Sequence, residues 1–310
     1  MDRRLTLFVL AAAGCSSSSS KTAADAPAPL RPGVEDSSQV YMGTPDPDES
    51  AFWVAVRGAD DTGRAGAVTQ LQADVAADPS NGYSEFLIGA SYFMPPNSEL
   101  AALAAGTAPQ PFQPDPAAIP YLKQSLGNLT DPFYLGFGGG LLGELEIAGG
   151  DPADGGQTFA TAAQHNHAAT DFMTVIGDLQ MQDVAKALAD MYTLLEFCND
   201  GPLDHQGGDA AAYVAKQNAG ALVHRECYSG YYAPHGSAGE LLILADLQAL
   251  NGNTAAASNY YHALAGVSDY STWALEPLVE RRLSGAQPAD LGTLAVITST
   301  CATCHTTALP

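Results

Sequence analysis

The sequence predicts an all-α protein whose helix hairpins stack into a solenoid, and both the composition and an internal repeat lead to this fold class. Hydrophobic residues make up 46% of the 310 positions, which is typical of a globular chain long enough to bury a large core. Alanine, the strongest helix former, is abundant, and runs of β-branched residues are few. These features favour helices over strands, and a pattern that recurs with a period of 34 residues favours repeated hairpins.

The first fourteen residues, 1–14, are predicted to be a signal peptide. Two arginines precede an apolar stretch at 5–13, which is too short to span a bilayer as a helix and matches the apolar region of a signal peptide. The sequence AAGC, which ends at Cys15, resembles the lipobox of bacterial lipoproteins. This resemblance implies an exported protein that carries lipid on Cys15 and resides in the outer membrane or periplasm. An ordinary secretory signal with a coincidental cysteine is the alternative.

Residues 15–47 are predicted to form a flexible tether that leads to a helical domain at 48–310. Five consecutive serines are followed by the proline- and acid-rich stretches APAPLRPG and TPDPDES. Such residues bury too little apolar surface to offset the entropy lost on ordering the chain. The tether would therefore separate the lipid from the folded domain.

The net charge restricts the kinds of partner. The chain carries 34 acidic residues against 12 basic ones, which gives a formal net charge of −22. A field of this sign repels nucleic acid and anionic lipid, so neither is expected as a partner. It would attract a basic partner protein, or it would simply keep the chain soluble.

Two stretches of the helical domain share one pattern of residue types at a distance of 102 residues. LLGELEIAGG at 141–150 corresponds to ILADLQALNG at 243–252, and Phe159 in the first unit corresponds to Tyr261 in the second. A small residue on the first helix lets the second helix pack closely, a glycine turns the chain, and the aromatic ring fills the space between the helices. Because 102 is three times 34, the chain resembles a tetratricopeptide-repeat protein over about residues 48–300.

This register predicts seven hairpin frames, which start near residues 48, 82, 136, 170, 204, 238 and 272. The frames at 170 and 204 match the pattern less closely than those at 136 and 238, and a proline- and alanine-rich insertion interrupts the frame at 82. The resemblance implies a curved solenoid that binds another protein. An irregular all-α bundle with two coincidental repeats is the alternative.

The sequence CATCH at 301–305 indicates a cofactor. Cys301, Cys304 and His305 match C-x-x-C-H, the attachment signature of a c-type haem. Two thiols three residues apart can each add to a vinyl group of one haem, and the adjacent histidine can bind the iron as the proximal ligand. The resemblance to c-type cytochromes implies one covalent haem c, attached outside the cytoplasm, in agreement with the predicted export signal.

Three other interpretations of the two cysteines compete with haem attachment. A redox disulfide between Cys301 and Cys304 would be expected in a thioredoxin-like βαβ pattern, which does not surround them. Half of a zinc site would need a second cysteine or histidine pair nearby at ligand spacing. The third interpretation is coincidence, which is disfavoured because the chain has only five cysteines and seven histidines.

The haem is expected at the end of the array opposite the lipid. Residues 288–300 would form the second helix of the last frame, and the motif follows directly. In placement alone this resembles the class II cytochromes c′, which carry the motif on their last helix. The helical array itself is expected to shelter the porphyrin, because little sequence follows the motif.

The histidines are the candidates for a sixth iron ligand. His262, on the second helix of the neighbouring frame, is ranked slightly above His235, which lies in an aromatic-rich loop, and His224 is a further candidate. Each of them is also consistent with an ordinary surface or core histidine. A sixth ligand would favour electron transfer, whereas an open position would allow a small molecule to bind.

Cys198 and Cys227 remain once the lipid and haem cysteines are assigned. Two remaining cysteines in an exported protein usually pair. The frames place them on neighbouring second helices at different heights, so the sequence predicts a structural disulfide and leaves its geometry open.

Together these features predict a lipid-anchored mono-haem cytochrome that transfers electrons and docks a redox partner protein through its repeats; self-association stays open. The alternatives are a tetratricopeptide scaffold whose haem is absent or structural, and a haem sensor or peroxidase-like enzyme with an open iron site. An electron carrier without enzymatic activity is preferred, because the sequence near the motif offers no identifiable acid–base pair.

Overall fold

The computed structural model describes residues 47–106, 115–219, 221–222, 227, 233, 235–268, 270–286 and 304–307. Its helices are α1 (Pro47–Arg57), α2 (Asp61–Ala77), α3 (Gly82–Ser91), α4 (Asn97–Ala104), α5 (Ala118–Asn128), α6 (Pro132–Ala148), α7 (Pro152–Gln180), α8 (Val184–Asn199), α9 (Ala210–Asn218), α10 (Gly236–Leu250), α11 (Thr254–Leu264) and α12 (Glu276–Leu283), with a 3₁₀ turn at Tyr270–Thr272. The described residues contain no strand, so the all-α prediction is confirmed. None of their helices is both long enough and apolar enough to cross a membrane. The predicted signal peptide, Cys15 and the tether up to residue 46 lie outside the described residues.

Side-chain caps set the starting points of many of these helices. In each case an Asp or Asn oxygen accepts a hydrogen bond from a backbone N–H in the first turn, where the helix has no internal acceptor for that group. The capping residues are Asp60, Asn81, Asp131, Asp151, Asp183 and Asn253. Proline follows the cap of α6 and of α7, where its missing N–H has no consequence for the helix.

Helix α7 consists of two helices joined without a loop. Asn166 has non-helical backbone angles, φ −155° and ψ 101°. Its side-chain oxygen accepts a hydrogen bond from the N–H of Ala169 at 3.0 Å and therefore caps the second half. The hydroxyl of Thr170, just beyond the kink, donates to the carbonyl of Gly136 at 3.2 Å. The kink thus turns the second half of α7 back onto α6.

Helices close in sequence pack in pairs. The pairs α1 with α2, α3 with α5, α6 with α7, α7 with α8, and α10 with α11 are in contact. Helices α1 and α2 lie within the frame predicted at 48 and α3 and α5 within the frame at 82, whereas α6 begins before the frame at 136 and α7 runs across the boundary at 170. The tetratricopeptide assignment itself stays a prediction, and the second helix of the last frame, at 288–300, lies outside the described residues.

One contact recurs at a spacing of 102 residues. The side chain of Gln180 donates to the buried carboxyl of Glu144 at 3.0 Å. The side chain of Arg282 donates to both carboxyl oxygens of buried Asp246, at 3.1 and 3.2 Å. Each acid and each partner in the second contact lies 102 residues after its counterpart in the first. The two contacts therefore occupy the same register of the helical array.

Helix α4, in the predicted insertion, bridges distant parts of the fold. At its first residue, Asn97, the backbone N–H and the side-chain amide both donate to the carboxylate of Asp61, at 3.0 and 2.8 Å. At its other end the guanidinium of Arg281 donates to the carbonyl groups of Leu103 and Ala104, which lack partners within the helix. The insertion thus connects the start of α2 with α12, across 220 residues of sequence.

Candidate functional site

The segment 304–307 lies against the end of α1, although about 250 residues separate the two in sequence. The backbone N–H and the hydroxyl of Thr307 donate to the carbonyl of Arg57 at 3.0 and 2.9 Å. The hydroxyl of Thr306, which is fully buried, donates to the carbonyl of Val56 at 3.4 Å. The last carbonyl groups of a helix have no partner within it, so the C-terminal segment caps α1.

The other side of the same segment contacts the start of α10. The backbone N–H of His235 donates to the carbonyl of Cys304 at 3.0 Å. The sulfur of Cys304 lies 3.8 Å from the carbonyl oxygen of Gly236. The end of the CATCH motif is therefore held between the first helix of the array and α10.

The contact with α1 was not expected from the sequence. The sequence places the motif after the last hairpin and opposite the predicted lipid. In the structure residues 304–307 lie against α1, the first helix after the predicted tether, while the predicted lipid site lies outside the described residues. Helical periodicity describes neighbouring hairpins and contains no information on a contact between elements 250 residues apart.

The imidazole ring of His305 stacks on the indole ring of Trp53. The ring centroids are 4.6 Å apart and the planes are inclined by 23°. The Nδ1 atom of His305 is buried and has no hydrogen-bond partner among the described residues. Although the residue as a whole stays partly accessible, burial of the ring lowers the pKa of His305 to about 3. The side chain is therefore a neutral imidazole, which is the form that binds metals.

The residues of the motif fit a c-type haem. Cys304 and His305 are consecutive in a short helical turn, and Trp53 covers a face of the imidazole. A buried ring nitrogen without a hydrogen bond has lost its contact with water, and no described residue compensates that cost. Cys301, the other predicted thioether residue, lies outside the described residues.

The two main candidates for the sixth ligand have different surroundings. His262 is exposed on α11, and its Nδ1 lies 2.7 Å from the carbonyl oxygen of Ser258 on the same helix. His235 is 1% exposed, is bonded to Cys304 through its backbone, and has its ring 6.4 Å from that of Trp273. His235 is therefore buried next to the motif, whereas His262 is exposed on its own helix. His224 lies outside the described residues.

The predicted disulfide is present. Cys198, at the end of α8, is bonded to Cys227, with 5.4 Å between the two Cα atoms. Both residues are buried, at 0% and 2% exposure. The bond connects α8 to the segment that precedes α10 and His235.

Sequence reasoning did not single out Trp53. The sequence offered only the residue type and its position as a signal. Trp53 is one of only two tryptophans in the chain and lies in the first predicted hairpin. Over the residues that the structure describes, no group of three or more His, Cys, Asp or Glu side chains could hold a metal ion. A c-type haem does not need such a group, because the porphyrin supplies four of the iron ligands.

Comparison of the chain with protein-family models, with curated proteins and with solved structures found no match.

Proposed function

We propose that the protein is an exported, lipid-anchored cytochrome that carries one covalent haem c and transfers electrons. Cys301 and Cys304 would form the thioether bonds, and His305 would bind the iron. The observation that carries this proposal is the CATCH motif, whose histidine ring is packed on an indole. The predicted lipidation of Cys15 supports it, because the resemblance to c-type cytochromes implies attachment of haem outside the cytoplasm.

When bound, the haem supplies a one-electron couple between ferric and ferrous iron. The protein's own contribution is to fix the segment that contains His305. Thr306 and Thr307 fasten the segment to the end of α1, and the N–H of His235 fastens it to α10. Trp53 shields the imidazole from water. A fixed, partly dry site limits the reorganisation that accompanies a change in iron charge.

We take His235 as the sixth ligand, in place of His262. The backbone hydrogen bond between His235 and Cys304 keeps the two residues adjacent. His262 instead contacts its own helix and is exposed. A buried histidine pair would give a six-coordinate iron suited to electron transfer.

The helical array would dock the redox partner. The recurrence of the Glu144–Gln180 contact at Asp246–Arg282 supports a tetratricopeptide-like solenoid, because stacked repeats place equivalent residues in equivalent surroundings. Arrays of this kind use a continuous surface to bind proteins. The net charge of −22 suits a basic partner.

Visible spectroscopy of the purified full-length protein tests the cytochrome assignment. Produced with export and haem attachment, the chain is expected to retain one haem after acid–acetone extraction and to show a reduced-minus-oxidised difference spectrum. Changing Cys301 or Cys304 to serine should lower covalent attachment, whereas the same change at the disulfide residue Cys198 should not. A chain without covalent haem would contradict the assignment.

Carbon monoxide distinguishes a carrier from an open-site sensor or enzyme. A six-coordinate ferrous iron is expected to bind carbon monoxide slowly, because a protein ligand must first leave. His235→Leu should make binding fast, and the matched variant His262→Leu should leave the rate unchanged. Rapid binding by the unmodified protein would favour the open-site alternative.

A further inference from the structure

Contacts other than the stack on His305 hold the indole ring of Trp53 in one orientation. Trp53 is 5% exposed, and its Nε1–H donates to the hydroxyl of Tyr83 on α3 at 3.1 Å. The edge of Trp53 also meets the ring of Phe52, with 5.1 Å between centroids and planes 82° apart. Two independent contacts thus hold the indole in one position.

Tyr83 is itself part of a rigid aromatic cluster. Its ring contacts those of Phe86 and Tyr134, with centroids 5.9 and 5.0 Å away. Phe86 and Tyr134 are buried in the apolar core that α1 shares with α3 and α6. The hydrogen bond from Trp53 therefore connects the indole to a closely packed interior, which deforms little.

The backbone alone leaves the ring of His305 free to turn. Hydrogen bonds of Cys304, Thr306 and Thr307 fix the main chain on both sides of it. The terminal torsion of a histidine side chain has a broad, roughly two-fold profile. The stack on Trp53, at 4.6 Å and 23°, restrains this torsion.

We infer that Trp53 is a positioning residue that sets the plane of the His305 ring toward the haem iron. The inference rests on the proposed haem function. Trp53 does not touch the iron; it acts through the imidazole face, while Tyr83 fixes the indole through its hydroxyl. The first hairpin of the array thereby determines the geometry of a ligand at the other end of the sequence.

Low-temperature electron paramagnetic resonance of the ferric full-length protein tests this role. The unmodified protein is expected to show one set of g values, because the ring has one orientation. Trp53→Leu should lose that single set and give broadened or multiple signals, with covalent haem content unchanged. Trp53→Phe keeps an aromatic face and should restore most of the single set. Tyr83→Phe removes the acceptor hydroxyl and should give an intermediate result.

Phe159→Leu is the matched control for a general loss of packing. Phe159 is a buried aromatic residue of the same apolar core and lies on α7, against Gly143 and Gly177. This variant should lower thermal stability without changing the g values. Unchanged signals in Trp53→Leu, or equal broadening in Phe159→Leu, would overturn the positioning role and leave the cytochrome assignment intact. Absence of covalent haem from the unmodified chain would overturn both.

Discussion

Two junctions between helices lie 102 residues apart in the sequence and use different chemistry. The first consists of Glu144 with Gln180 as donor. The second consists of Asp246, which accepts two hydrogen bonds from Arg282 and a further one from the hydroxyl of Tyr261. Phe159 is the counterpart of Tyr261 in the first junction and has no hydroxyl to offer.

The difference shows that a buried acid at this position can meet its side-chain donor either as a neutral group or as a charged one. Burial raises the pKa of Glu144 to about 8, and its second carboxyl oxygen has no partner among the described residues. Glu144 is therefore protonated at neutral pH. Burial also raises the pKa of Asp246, but Arg282 and Tyr261 oppose that rise. The first junction is a neutral hydrogen bond and the second is a buried ion pair.

Arg282→Gln gives the second junction the donor residue of the first and should have the largest effect. Removing one partner leaves Asp246 buried without a compensating charge, which costs about 3–5 kcal/mol of unfolding free energy at pH 7. Urea denaturation followed by circular dichroism measures this loss.

The reciprocal variant Gln180→Arg is the matched control. Gln180 is partly accessible at the end of α7, so a guanidinium there can approach Glu144 and stay partly hydrated. It should lower the pKa of Glu144 and leave the unfolding free energy within about 1 kcal/mol of the unmodified protein. Equal losses in the two variants would show that the two junctions do not differ in charge.

Reduction or removal of the disulfide tests how much the bond between Cys198 and Cys227 contributes to stability. The bond closes a loop with a sequence separation of 29 residues, and loss of such a crosslink costs about 3 kcal/mol. The double variant Cys198→Ala with Cys227→Ala should lower the unfolding free energy by that amount under oxidising conditions, as measured by urea denaturation. Under reducing conditions it should match the reduced unmodified protein, and a remaining difference would assign the effect to lost packing.

The features that the sequence predicted are local or periodic. Helix type, the hairpin frames and the pairing of Cys198 with Cys227 follow from composition, a 34-residue period and the count of cysteines. The contacts of Trp53 with His305 and of Arg281 with α4 join elements far apart in sequence. Neither leaves a pattern within one helix, so both required the structure. The kink at Asn166 was also missed, because one capping residue replaces a loop.

The close packing of α6 against α7 can be disturbed by a substitution that changes no charge. A Cβ atom at Gly139 would lie 2.6 Å from the Cβ of Ala162. Gly139→Ala should therefore cost about 1–2 kcal/mol of unfolding free energy, since overpacking outweighs the gain in helix propensity. Adding Ala162→Gly should recover most of this loss. At Gly156, where no atom lies within 4 Å of an added Cβ, alanine should instead stabilise by about 0.5–1 kcal/mol.

The pH dependence of stability gives the most specific test of the neutral junction. In the folded protein the pKa of Glu144 is about 8, against an ordinary value of 4.5. Between these values the unfolded chain has released the proton and the folded chain has kept it. The folded state then binds more protons, so the unfolding free energy falls as pH rises and levels off above about pH 8.

Glu144→Gln removes this titration while it keeps an acceptor for Gln180. The variant should match the unmodified protein near pH 4.5 and become the more stable of the two as pH approaches 8. The slope of unfolding free energy against pH should become shallower by one proton, about 1.4 kcal/mol per pH unit. Glu240, whose pKa burial also raises to about 8, provides the comparison, and Glu240→Gln should change the slope by a similar amount. An unchanged slope in Glu144→Gln would mean that Glu144 is ionised at neutral pH and that both junctions hold a buried charge.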